Sequence, residues 1–201
     1  MVSARMTMPD RLIKRSFDIV VSLAGLLLLW PIIMVAWAIA RHDTGASGFF
    51  RQLRVGKDGR PFKVIKLRTM RPIGGTTVTT ANDMRITKWG ARFRRWKLDE
   101  LPQLWNVLIG DMSLVGPRPD VPGYLDRLTG EDRRLLTLRP GITGPATLKY
   151  RNEEKLLWQQ PDPEAYNNMV IWPDKVRINL DYLDTWSFRR DLTLLRETIL
   201  G

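Results

Sequence analysis

Residues 19–40, IVVSLAGLLLLWPIIMVAWAIA, form an uncharged and almost wholly apolar run, whereas the rest of the chain mixes polar and apolar positions at short period. A straight helix of these 22 residues, at ~1.5 Å rise per residue, covers the ~30 Å hydrocarbon core of a bilayer. Three readings follow. A secretory signal fits the basic leader of Arg5, Arg11, Lys14 and Arg15 and the small residues Ala36, Ala38 and Ala40, but the run exceeds the ~7–15 residues of an ordinary signal core. A single spanning helix fits the length. A re-entrant helix-break-helix fits the flanks: Arg11, Lys14 and Arg15 precede the run, and Arg41, Arg51, Arg54 and Lys57 follow it, which marks both ends as cytoplasmic. Pro31 lacks an N–H, crowds the carbonyl of Leu27 and biases Trp30 away from helical geometry. It divides the run into pieces of roughly 18 Å and 14 Å, neither long enough to span alone. Proline-kinked helices do cross membranes, so the pattern leaves the spanning and re-entrant readings open.

Past Arg41 the periodicity shortens. Residues 62–70, FKVIKLRTM, alternate basic and apolar side chains and predict a short strand with Lys63 and Arg68 at its margins. Gly74, Gly75 and the threonines through Thr80 predict a flexible polar loop. Residues 89–97, WGARFRRWK, predict a basic helix bearing Arg92, Arg94 and Arg95, solvated or facing a membrane surface. Helices are expected over 101–109 and 124–138. The tail, 175–200, places Val176, Ile178, Leu180, Leu183, Leu192, Leu195 and Ile199 at helical spacing for core packing or membrane contact. No internal repeat, low-complexity tail or domain linker is evident.

Composition narrows the chemistry. The 201 residues suffice for one domain with a real core. Thirty-two Lys and Arg against 21 Asp and Glu give a net charge of +11, which favours an anionic partner: nucleic acid, an acidic membrane, or a phosphorylated small molecule. With no cysteine and one histidine, His42, disulfides, thiol catalysis, Cys/His zinc sites and a Ser-His-Asp triad fall away. Carboxylate chemistry remains.

Residues 98–119, LDELPQLWNVLIGDMSLVGPRP, set Asp99 and Glu100 against an Arg118 stiffened by Pro117 and Pro119. Helix initiation accounts for part of this, with Asp99 as N-cap and Glu100 and Pro102 in the first turn. Capping and chemistry are compatible, because a helix start attracts phosphate and keeps a capping carboxylate ionised. An ionised Asp99 is then a candidate nucleophile, Mg²⁺ would screen its repulsion from an anionic target, and Arg94, Arg95 and Arg118 can clamp phosphate. A membrane-anchored basic nucleic-acid-binding protein is the alternative from another class. It leaves the clustered Asp99, Glu100 and Asp111 without a role. A noncatalytic membrane scaffold is a third, and it requires Asp99→Asn to leave function intact.

KRSFDIV at 14–20, the proline-interrupted apolar run, FFRQLRVGKDGRPFKVIKLRTM at 49–70, the block at 98–119 and RPGITG at 139–144 occur in the order found in the bacterial sugar transferases. The chain resembles the small monotopic phosphoglycosyl transferases of the PglC type over nearly its whole length. The resemblance implies a helix-rich α/β fold: a re-entrant membrane helix-break-helix within 1–41, then a cytoplasmic catalytic domain over 42–201 with amphipathic interfacial helices. It implies location on the cytoplasmic face of the bacterial inner membrane, among its phospholipids, with a UDP-sugar and polyprenol phosphate as partners and no nucleic acid. The activity implied is the first membrane step of glycoconjugate assembly. In it, Asp99 attacks the β-phosphate of the UDP-sugar, expels UMP and holds the phosphosugar until polyprenol phosphate takes it, a ping-pong course. By the same resemblance Asp99 contacts Mg²⁺, Glu100 positions or deprotonates incoming groups, and Arg94, Arg118, Arg151, Lys66 and Arg68 bind substrate. Three departures stand out. Trp30 replaces a common serine before the break proline, PATLKY at 145–150 replaces a Gln-Val-Asn-Gly run, and Trp96 and Lys97 replace small polar residues.

Overall fold

A computed structural model describes residues 6–72 and 83–200. The loop expected at Gly74 to Thr80 lies outside the described residues. The first helix, α1 (Met8–Thr44), starts in a capping box in which Thr7 and Asp10 exchange backbone and side-chain hydrogen bonds, and ends at Gly45 in the left-handed conformation. Trp30 and Pro31 both lie inside it, so the interruption expected there is not a change of secondary structure. Proline deletes a single i→i−4 hydrogen bond, and the turns on either side carry the helix through.

Next come an antiparallel hairpin, β1 (Phe49–Val55) and β2 (Pro61–Leu67), with Arg54 opposite Phe62 and Phe50 opposite Lys66. The basic helix α2 (Lys88–Arg95) follows, then a 3₁₀ turn (Leu98–Glu100), α3 (Gln103–Ile109) and β3 (Ser113–Val115). The helix expected over 124–138 is instead two 3₁₀ segments, Leu125–Arg127 and Gly130–Thr137. Extended Leu128 and Thr129 separate them, and the second opens on the left-handed Gly130. Strand β4 (Gly141–Thr143) pairs parallel to β3. Three short helices, α4 (Pro145–Lys149), α5 (Glu153–Trp158) and α6 (Pro163–Tyr166), lead through a π turn (Asn167–Ile171) into α7 (Trp172–Asp184) and α8 (Phe188–Leu200). The chain is thus α/β and helix-rich, with two small sheets.

The main core gathers Phe62 and Val64 of β2, Val107 of α3, Leu114 and Val115 of β3, Tyr182 of α7 and Leu194 of α8. Around it α1 docks at both ends. Near its start Arg15 donates to the carbonyls of Val107 (2.6 Å) and Leu108 (2.8 Å), Asp18 accepts from the Leu114 N–H (3.0 Å), and Lys14 pairs with Asp191 of α8 (2.5 Å). Near its end Ala36 and Ala40 pack on Leu67 of β2 and Phe93 of α2, and Asp43 accepts from the Trp89 N–H (3.2 Å). The apolar window of α1 has mean hydropathy 2.6 and is 17% buried. Its outward side chains include Leu27, Leu28, Trp30 and Val35. These exposed apolar side chains make α1 a candidate membrane segment.

Candidate active site

Lys97 adopts a left-handed conformation (φ 56°) after α2 and turns the chain into the 3₁₀ segment carrying Asp99 and Glu100. Asp99 therefore lies inside this turn, and Pro102 occupies the position before α3. The expected N-cap role is corrected: Asp99 caps no helix, and α3 has only seven residues. The expected ionising influence of capping N–H groups is corrected with it. Asp99 is 9% exposed, and its Oδ1 is buried with no hydrogen-bond partner among the described residues. Burial, and then the neighbouring Glu100 charge, push its carboxyl above the usual range, opposed by Lys66, Arg94 and Lys97.

Glu100 experiences the reverse. Its Oε1 accepts from Arg118 Nη2 (2.9 Å) and lies 3.4 Å from Lys66 Nζ. Burial alone would raise its carboxyl, but Arg118, Lys66 and Lys97 hold it well below the usual carboxylate range. Lys66 reaches the dyad because period-two alternation puts it on the face of β2 that carries buried Phe62 and Val64, while Lys63 points outward. Burial, and then Arg118, pull the Lys66 ammonium down to about 8 against the attraction of Glu100 and Asp99.

Arg118 sits on a pinned loop. Gly141 donates to the Pro117 carbonyl (2.7 Å), Arg54 Nη1 to the Pro119 carbonyl (3.0 Å) and the Val55 N–H to the Asp120 carbonyl (2.9 Å). A Cβ on Gly141 would fall 2.1 Å from the Gly116 nitrogen, so RPGITG is glycine there to let β4 approach this loop. Arg94 is held by Thr69 Oγ1 (3.0 Å) and Glu154 (2.9 Å), and its charge reaches Asp99.

The structure thus brings Asp99, Glu100, Lys66, Arg94 and Arg118 together. It does not bring Arg68 or Arg151 into hydrogen-bonding contact with the dyad. Arg68 donates to the Ser47 carbonyl (2.8 Å) and stacks on Phe50, and exposed Arg151 donates to the Glu197 carbonyl of α8 (2.9 Å). Sequence reasoning missed Arg54 and Asp120. Burial pushes the Asp120 carboxyl up to about 6 against Lys175, Arg54 and Arg118. The available signal was its place between Pro119 and Pro122, two residues past Arg118.

A family model described as bacterial sugar transferase matches residues 9–201. The chain belongs to the bacterial sugar transferase family. Among curated relatives of this transferase, an uncharacterized sugar transferase, EpsL, of Bacillus subtilis is 37% identical over 191 residues, 94% of this chain and 86% of that protein. The UDP-galactose-lipid carrier transferase of Erwinia amylovora is 34% identical across 94% of this chain but only 40% of its own length. A putative undecaprenyl-phosphate N-acetylgalactosaminyl 1-phosphate transferase of Bacillus subtilis is 42% identical over 137 residues, 61% of this chain and 76% of that protein. The transferase's family motifs map onto the geometry above: 49–70 forms the hairpin with Lys66, 98–119 the dyad and its arginine, and 139–144 the strand that pins the arginine loop.

Proposed function

We propose that this enzyme transfers a sugar 1-phosphate from a UDP-sugar to polyprenol phosphate, releasing UMP, at the cytoplasmic face of the bacterial inner membrane. The observation that carries the reading is Asp99 Oδ1, a buried carboxylate oxygen without a partner, ringed by Lys66, Arg94 and Lys97 with Arg118 beside it on Glu100. Buried polar atoms without partners are uncommon, and one set among several cations suits an anionic ligand or its counter-ion. In the first half-reaction the Asp99 carboxylate attacks the β-phosphorus, its bond to the UMP oxygen breaks, and an acyl phosphate carries the sugar. In the second an oxygen of polyprenol phosphate attacks the same phosphorus and returns the free carboxylate. Glu100, bound to two cations, orients Arg118 and Lys66 toward the phosphates, and Arg94 offers its charge to the departing nucleotide.

The donor set also fits Mg²⁺. Asp99 Oδ1 is free to bind, Glu100 is occupied, and no cluster of three or more His, Cys, Asp or Glu suited to a metal occurs among the described residues. Mg²⁺ is held by one or two carboxylates with substrate phosphates and water, so Asp99 would share it with the donor. Bound there, the ion would screen charge on the phosphates.

Membrane placement is supported by α1, whose two ends dock on one body while its middle exposes apolar side chains; entry into one leaflet with a bend at Pro31 would accommodate both. Exposed Trp89, Trp96 and Trp105, with Arg92 and Arg95 stacked on the first two, suit the headgroup level. The test is UMP release by detergent-solubilised protein given UDP-sugars, Mg²⁺ and undecaprenyl phosphate, with intact mass read after a UDP-sugar alone. A phosphosugar adduct lost in Asp99→Asn supports the reading. Folded protein that yields no UMP with any UDP-sugar overturns it.

A further inference from the structure

Among the described residues β2 pairs with β1 on one side only, so its outer edge presents peptide groups outside the ladder. Asn106 of α3 fills that edge. Its Oδ1 accepts from the Ile65 N–H (3.0 Å) and its Nδ2 donates to the Lys63 carbonyl (2.9 Å), so one carboxamide stands in for the peptide of a missing strand. Asn106 is 1% exposed, and it carries a further contact from Nδ2 to Asp111 Oδ2 (3.4 Å).

The position of this link matters more than its strength. Ile65 precedes Lys66, and Asn106 lies six residues past Glu100, across Leu101 and Pro102 into the first turn of α3. Lys66, β2, Asn106, α3 and Glu100 therefore close a ring whose last side is the 3.4 Å approach of Lys66 Nζ to Glu100 Oε1. Open the ring at Asn106 and the edge of β2 beside Lys66 loses its polar tie to α3, leaving the apolar packing of Phe62 and Val64 with Val107 and one long ion pair on a flexible lysine stem. We infer that Asn106 is a positioning residue: by occupying the free edge of β2 it sets the reach of Lys66 to the Asp99–Glu100 dyad. It touches no reacting atom. The inference rests on the proposed transfer for its catalytic consequence, though not for its geometry.

The test compares Asn106→Ala with Val107→Ala, a cavity in the adjacent, fully buried core position that leaves the edge of β2 intact. At matched loss of Tm, Asn106→Ala should lower kcat for UMP release by about 10–100-fold relative to Val107→Ala, the cost of displacing a charged group by about an ångström, with the donor KM changed far less. Labelling by an amine reagent, read residue by residue by mass spectrometry, should rise several-fold at Lys66 in Asn106→Ala. It should stay unchanged at Lys149, which is paired to Asp174 of α7. If Lys66 reactivity and kcat in Asn106→Ala equal those of Val107→Ala, the inference is overturned. Should Asn106→Ala not fold, Asn106→Ser carries the same comparison. If wild-type protein releases no UMP, the proposed function fails while the Lys66 labelling still decides the geometry.

Discussion

Asp99 and Glu100 are adjacent in the chain, one buried and one half-buried, yet Glu100 Oε1 is shared between Arg118 and Lys66 while Asp99 Oδ1 has no partner among the described residues. The two carboxylates thus differ in environment: one is neutralised by fixed cations, and the other, unsatisfied, is the group that reacts in the proposed transfer.

The contrast has opposite signs in stability. Asp99→Asn removes an unpartnered buried acid and should raise stability by about 1–3 kcal/mol while abolishing transfer. Glu100→Gln strands Lys66 and Arg118 and should lower stability by a similar amount. Thermal denaturation in one detergent, with UMP release measured on the same preparations, checks both. Asp99→Asn melting below wild type would refute the contrast.

Activity should be confined to a pH window. In the proposed transfer Asp99 must ionise to attack, and its carboxyl is displaced upward by burial and by Glu100, so the rate should rise with pH through a point above the ordinary aspartate value. Lys66 must stay cationic, and its ammonium is pulled down to about 8 by burial and Arg118, so the rate falls as pH passes that value. Lys66→Arg, which cannot deprotonate in this range, should lose the alkaline fall even if its rate is lower overall. A retained fall near pH 8 in Lys66→Arg would assign that limb to another group.

Asp120 links the site to pH-dependent stability. Burial raises its folded-state carboxyl from 3.8 to about 6, so the neutral form is favoured by folding. That contribution is complete below the unfolded value and is lost as pH rises through about 6. Asp120→Asn keeps the neutral shape and should therefore gain Tm over wild type at pH 7.5 and little at pH 4, by at most about 3 kcal/mol for a shift of roughly two pKa units. An equal Tm difference at both pH values would contradict the linkage.

The apolar run, the strand with Lys66, the basic helix and the acidic pair were legible because each rests on local periodicity or adjacency. The role of Asp99 as a cap was misread because Lys97 in a left-handed conformation inserts a 3₁₀ turn that helix-start residues do not foretell. The helix expected over 124–138 failed at Gly130 for the same reason, one residue whose backbone geometry overrides the pattern around it. Arg54 and Asn106 could not be read from sequence at all, and Asp120 only from its place between two prolines. The first two act across a long chain separation, Arg54 on Pro119 and Asn106 on Ile65, and a polar residue spent on a distant backbone group leaves no local signature.

Sidedness of α1 follows from its contacts. Arg15 makes two charge-assisted hydrogen bonds to α3 carbonyls and Asp18 caps the start of β3, while Asp43 and Ala40 hold α2 and β2 at the other end. A helix crossing the bilayer would carry one of these sets to the far side and forfeit it, and each charge-assisted bond alone is worth about 1.5–3 kcal/mol. Both ends should therefore face one compartment. The chain has no cysteine, so Arg11→Cys and His42→Cys give single labels at exposed positions flanking the apolar run. A membrane-impermeant maleimide should reach neither in intact spheroplasts and both after lysis. Labelling of either one in intact spheroplasts would restore the spanning reading, and Arg15→Ala should then leave Tm unchanged rather than lower it.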